Sequence, residues 1–143
     1  MPYSGGCQCG AVRYRIAELG RATICHCRMC QKAFGGFFGP LVTAKGLEWT
    51  RGIPSTFASS NKVQRGFCNQ CGTPLTYDWG GDLEIAIGSL DDPEAAAPVL
   101  QVNPAERLSY FSTLHTLPVR ENPPAVNDFM AEIVSHQHPD RDP

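Results

Sequence analysis

Seven cysteines, confined to three short clusters in the first half of a 143-residue chain, limit the folds open to it. They stand at 7 and 9, at 25, 27 and 30, and at 68 and 71. An odd number cannot all pair as disulfides within one chain. The start, Met1-Pro2-Tyr3-Ser4-Gly5-Gly6, lacks the charged and then apolar pattern of a secretory leader. The expected compartment is therefore a reducing cytoplasm, where such a set reads as metal ligands or catalytic thiols.

The outer pairs, Cys7-Gln8-Cys9-Gly10 and Cys68-Asn69-Gln70-Cys71-Gly72, both end in Cys-Gly. That is the form of a metal knuckle, in which turn amides donate to sulfur and the glycine takes positive φ without a Cβ clash. Two knuckles brought together by a sheet would make a closed four-thiolate site, which is the structural kind of zinc site. The competing reading is a pair of redox or disulfide couples.

The middle cluster is Cys25-His26-Cys27-Arg28-Met29-Cys30. Cys25 and Cys27 alternate as on a strand, and Cys27 and Cys30 are one helical turn apart, so a strand-to-helix corner aims three sulfurs at one point. Three protein ligands leave the fourth tetrahedral position open, as in catalytic zinc, and thiolate ligands favour zinc. A bound thiol would bring the centre to a charge of −2, which calls for nearby cations, and Arg28 and Lys32 are the expected ones. The alternative is a second structural zinc with histidine as fourth ligand. His26 is the local candidate, although on a strand it points to the opposite face, and His115 is the distant one. An iron–sulfur cluster is disfavoured because the spacing matches no ferredoxin-type run.

The rest of the chain predicts one mostly β domain over residues 1–134 and a disordered tail over 135–143, where His136 and His138 read as solvated. Val12-Arg13-Tyr14-Arg15-Ile16 alternates apolar and basic, and further short strands are expected around 47–50, 55–58, 62–67, 74–79 and 83–87. Helix signals are few: one or two turns over 28–34, a short capped start at Asp91-Asp92-Pro93-Glu94, and a terminal helix over 125–134 with Val126, Phe129, Met130 and Ile133 on one face. Twelve basic and 14 acidic residues give a net charge of −2, which argues against a nucleic-acid partner and an anionic membrane surface. No stretch approaches the ~18 apolar residues of a spanning helix. Phe34-Gly35-Gly36-Phe37-Phe38-Gly39 follows the open cluster, with aromatics placed to wall a pocket.

Gly-Gly-Cys-Gln-Cys-Gly at 5–10, Cys-His-Cys-Arg-Met-Cys-Gln-Lys at 25–32 and Phe-Cys-Asn-Gln-Cys-Gly-Thr-Pro-Leu at 67–75 resemble the glutathione-dependent formaldehyde-activating enzyme (GFA) family, whose domain is shared with centromere protein V. The segment Ile85-Ala86-Ile87-Gly88-Ser89-Leu90-Asp91-Asp92-Pro93 is also similar. The resemblance implies a zinc-stapled, β-tent-like fold, a structural zinc on Cys7, Cys9, Cys68 and Cys71, and a second, labile zinc on Cys25, Cys27 and Cys30. The activity it implies is addition of glutathione to formaldehyde, classed as a carbon–sulfur lyase in the reverse sense. The expectation is thus a cytoplasmic enzyme with two zinc ions, with Cys25, Cys27 and Cys30 at its catalytic centre. Arg28 and Lys32 are the expected partners of the bound thiol. The alternative is a non-catalytic zinc-binding interaction module.

Overall fold

The computed structural model describes residues 2–142. Eight strands form one sheet: β1 (Tyr3–Gly6), β2 (Arg13–Cys25), β3 (Gly39–Arg51), β4 (Ser55–Ala58), β5 (Gln64–Phe67), β6 (Pro74–Asp78), β7 (Glu84–Ala86) and β8 (Leu100–Val102). Their order is β1-β2-β3-β7-β6-β5-β4, antiparallel throughout, and β8 adds in parallel to the end of β2. The helices are short: α1 (Arg28–Phe34), α2 (Pro124–Glu132) and four 3-10 segments of three to six residues. The fold is mostly β, as the short alternating runs predict.

The two long strands make the frame. β2 pairs with β3 from Arg13 opposite Arg51 to Cys25 opposite Gly39, with register shifts at Arg13/Tyr14 and Leu19/Ala22. Side-chain alternation buries Tyr14 and Ile16 completely while Arg15 stays exposed. Val42, Leu75, Ile85 and Leu90 complete the same core. Tyr14 crosses it with its polar end satisfied: Ser89 Oγ lies 2.7 Å from the phenol and donates to the Ala86 carbonyl at 2.7 Å. Its ring meets Trp49 edge-to-face at 5.9 Å.

Arg13 breaks the expected alternation. It is only 2% exposed, beside the register shift that turns it inward. A buried guanidinium requires a partner, and Asp91 accepts both prongs of its fork at 2.9 and 2.7 Å. Ser4 Oγ donates to the same carboxylate. Burial pushes the Asp91 carboxyl up, but the Arg13 fork and the Ser4 hydroxyl outweigh it and hold the group below its ordinary range. A folded-state pKa that is depressed contributes stability above the unfolded value, and that contribution is lost as pH falls through the folded value. Asp91→Asn is therefore expected to cost about 3 kcal/mol at neutral pH in urea unfolding. The difference from the parent protein should shrink below roughly pH 4, and a pH-independent difference would refute this account.

The C-terminal segments differ from expectation in their packing. α2 forms where the apolar spacing puts it, yet none of its residues is buried, and Phe129 and Met130 are 64% and 56% exposed. Residues 135–142 contain no helix or strand, but they follow the surface of the sheet. The His138 N–H donates to the Gln8 carbonyl at 2.7 Å, and Asp142 accepts from Arg15 Nε at 2.7 Å and from Arg13 at 3.1 Å. Arg13 and Arg15 of β2 give this acidic stretch something to pair with. Residue 143 of the predicted tail lies outside the described residues.

Candidate metal centre

The two outer cysteine pairs sit in the turns that join β1 to β2 and β5 to β6. In the first, the Cys7 N–H donates to the Val12 carbonyl at 3.0 Å, the Val12 N–H donates to Cys7 Sγ at 3.2 Å, and Gly10 takes φ 81°. The second repeats the pattern: the Cys68 N–H donates to the Thr73 carbonyl at 3.0 Å, the Gln70 N–H to Cys68 Sγ at 3.4 Å, and Gly72 takes φ 79°. The four sulfurs lie within 4.8 Å of one another. Cys7 and Cys9 are 3.6 Å apart, and Cys9 and Cys68 are 3.8 Å apart. A tetrahedron with zinc–sulfur bonds of about 2.3 Å has edges of about 3.8 Å, so the donor set fits that ion. All seven cysteines are free thiols.

Four thiols this close compete for charge. Burial pushes Cys71 up, but donors led by the Thr73 hydroxyl and N–H bring it down to about 6. The Ala11 N–H pulls Cys9 down, yet burial and the thiols of Cys7, Cys71 and Cys68 carry it up to about 12. One negative charge is favoured and the next is opposed, and a divalent cation removes that opposition.

The middle cluster is built at a corner. Cys25 ends β2, Cys27 caps the N-terminus of α1, and Cys30 lies in its first turn. Their three sulfurs also fall within 4.8 Å of one another. Each sulfur accepts at least one N–H. Asn103 Nδ2 donates to Cys25 at 3.2 Å, the Cys30 backbone to Cys27 at 3.3 Å, and Arg65 Nη2 to Cys30 at 3.3 Å. Such donors favour thiolate and orient it toward an ion. Gly39, opposite Cys25 in the sheet, is required by space, because a Cβ there would lie 2.8 Å from Cys30 Cβ.

Two of these donors escape a reading of the sequence. Arg65 is 5% exposed on β5, braced by Ser59 Oγ at 2.8 Å and by the Tyr77 ring 5.0 Å below its guanidinium. Asn103 follows β8, whose parallel pairing of Val102 with Cys25 carries it to the cluster. It is the non-glycine residue with positive φ among the described residues, at φ 54°, a conformation that asparagine tolerates. The expected cations, Arg28 and Lys32, are not brought to the sulfurs. Arg28 Nη1 donates to Gln31 Oε1 while its backbone N–H donates to Glu106, and Lys32 is exposed. The physical reason is helical: residues two places either side of Cys30 lie about 200° around the axis from it.

The histidines also lie outside the three-sulfur group. His26 is fully buried, with Nε2 2.8 Å from Gln101 Oε1 and its ring edge-to-face on Phe111 at 4.8 Å. His115 is exposed on a 3-10 turn. Phe37 and Phe38 pack against Tyr110 and Phe111, joining the glycine-rich segment to the C-terminal third.

A cavity of about 180 Å³ opens beside the cluster, lined by Cys25, Cys30, Asn103, Arg21, Tyr77 and Glu84 among others. Burial pushes the Cys30 thiol up to about 12 against the pull of Arg65. For Cys25, burial is outweighed by donors including the Cys27 backbone and Asn103, and its thiol falls below the ordinary value. A second, apolar cavity of about 440 Å³ is lined by Arg65, Lys32, Phe34, Phe57 and Phe67 among others.

Fold and site together define a mostly β protein with one group of four sulfurs and one of three, both able to hold metal. The family model described as glutathione-dependent formaldehyde-activating enzyme matches residues 2–104, and the chain belongs to that family. The crystal structure of a Rhodobacter sphaeroides protein has a similar fold, with a TM-score of 0.54 and 21% identity over 69% of this chain and 99% of that one. The family match ends just past Asn103, so it includes every residue that donates to the three sulfurs.

Proposed function

We propose that the protein is a zinc enzyme that adds a small thiol, glutathione, reversibly to a small aldehyde such as formaldehyde, a carbon–sulfur lyase reaction read in reverse. In this reading Cys7, Cys9, Cys68 and Cys71 hold a closed structural zinc. Cys25, Cys27 and Cys30 hold a second, exchangeable zinc with room for a guest. The observation that carries the proposal is the cavity that meets Cys25 and Cys30 directly. Zinc at that point would supply the positive charge that keeps a bound thiol ionised at neutral pH.

The chain's own residues suit the task. Three thiolates and a fourth from substrate leave a charge of −2 around one divalent ion, which a dry pocket resists. The buried Arg65 guanidinium lies 3.3 Å from Cys30 Sγ, and Arg21 lines the cavity, so two cations face that excess. Asn103 fixes Cys25 from the wall of the same cavity. Among the described residues no helix is long and apolar enough to cross a membrane, and the net charge of −2 suits a small-molecule partner better than nucleic acid. The proposed compartment is the cytoplasm.

The test is cobalt substitution. Two metal ions per chain are expected, with one exchanging readily, and glutathione should shift the thiolate-to-cobalt absorption. Cys30→Ser should keep one ion and lose the shift. A spectrum that ignores small thiols would replace this reading with a non-catalytic zinc-binding interaction module.

A further inference from the structure

Adding a thiol to an aldehyde moves one proton. The thiol gives up its S–H proton on binding, the sulfur electron pair forms the C–S bond, and the carbonyl π pair moves to oxygen, which must be protonated. The overall change, thiol plus aldehyde to hemithioacetal, consumes and releases no proton. A single group that holds the proton between the two events therefore closes the balance. That group must reach the same space as the sulfurs and must both accept and donate near neutral pH.

Few residues around the cavity meet that requirement. Cys25 and Cys30 are occupied as proposed ligands. Arg21 does not release its proton. Burial pushes the Tyr77 phenol above its already high ordinary value, so Tyr77 stays protonated and takes up no proton near neutral pH. Glu84 remains. It sits on β7, facing Thr43 of β3 and Tyr77 of β6 across the sheet, and it lines the cavity with Cys25 and Cys30. It is half-buried and has no hydrogen-bond partner among the described side chains, so its carboxyl is free to bond a guest. The charged group opposing its protonation is Arg21 of β2. Burial is the larger influence and raises its pKa toward the range that a proton carrier needs.

Resting on the thiol-addition reading, we propose that Glu84 is the acid–base residue of this site, taking the proton of the incoming thiol and returning it to the aldehyde oxygen as the C–S bond forms. In the reverse direction the carboxylate removes the hydroxyl proton of the hemithioacetal, the oxygen electron pair forms C=O, the C–S bond breaks with its pair on sulfur, and Glu84 returns the proton to that sulfur as the thiol leaves.

The first experiment counts protons rather than turnover. Calorimetry of glutathione binding to the zinc-loaded protein, in buffers of different ionisation enthalpy, gives the protons released per thiol bound. The intact protein should release close to none, because Glu84 keeps the proton, whereas Glu84→Gln should release about one. Adduct formation in Glu84→Gln should fall by about 10²–10⁴-fold while its cobalt spectrum still responds to thiol. Equal proton release from the two proteins, with thiol bound in both, would overturn the assignment and leave thiol addition standing. Absence of thiol binding to the intact protein would instead remove the proposed function and this inference together. Arg21→Met provides an independent check that leaves Glu84 in place. Removing the cation that favours the carboxylate raises the pKa of Glu84, so the acid limb of the adduct-formation profile should move to higher pH. A limb that does not move belongs to another group and refutes the proposal.

Discussion

Cys68→Ser is expected to leave the chain without a cooperative fold. Cys68 is 1% exposed, and its sulfur lies 3.8 Å from that of Cys9, so the pair ties the β1–β2 turn to the β5–β6 turn. In the sheet order these turns belong to strands on opposite sides of β3 and β7. Nothing in local chain connectivity holds them together. A structural zinc contributes roughly 10–16 kcal/mol in small peptides, as much as the whole ~5–15 kcal/mol stability of an ordinary domain. A serine removes a thiolate ligand and leaves the other three sulfurs to repel one another. Zinc content should drop, the near-ultraviolet circular dichroism should vanish, and a saturating chelator should do the same to the unsubstituted protein. A Cys68→Ser variant that melts cooperatively at the parental temperature would show that the sheet stands without this centre. Cys30→Ser, which affects only the other cluster, is the control that should remain folded.

Arg65→Met is expected to weaken the ion in the three-cysteine centre by about 10–100-fold, the usual effect of removing a group that supports a ligand. Arg65 touches Cys30 Sγ, Ser59 Oγ and the Tyr77 face at once. Methionine keeps much of the stem's packing and deletes the charge and the fork. Lysine keeps the charge but not the planar set of donors, so Arg65→Lys should fall between the two. Competition with a graded chelator separates the two ions, and only the weaker one should shift. Equal weakening of both, or of neither, would mean that Arg65 serves the packing of β5 and not the sulfur.

The residues that make the centre divide by how far their signal travels along the chain. The cysteine clusters, the turn glycines and α1 are local, and spacing alone predicts them, because a knuckle or a single helical turn is specified within six residues. Arg65, Asn103 and Glu84 carry no such mark. Sheet order places each of them: Arg65 reaches the cluster from β5, Asn103 through the parallel pairing of a three-residue strand, and Glu84 reaches the adjoining cavity from β7 beside β3. Unlike β7, which lies within the alternating run at 83–87, the three residues of β8 have no alternating run around them, so periodicity does not reveal it. Arg13 misleads for a related reason, since its burial depends on Asp91, 78 positions later. Arg28 and Lys32 stand next to the cluster in sequence but hydrogen-bond to none of its sulfurs, because a helix turns residues two places either side of Cys30 away from it.

The N–H donors to the sulfurs come from backbone amides at positions 27 and 30 and from side chains at 65 and 103. During synthesis, Cys25, Cys27 and Cys30 leave the ribosome long before the last of these does. Until some hundred residues have emerged, the nascent trio lacks the surroundings that hold it ready. Assembly of this cluster therefore waits for nearly the whole sheet, and an incomplete chain carries its three cysteines without the donors that orient them.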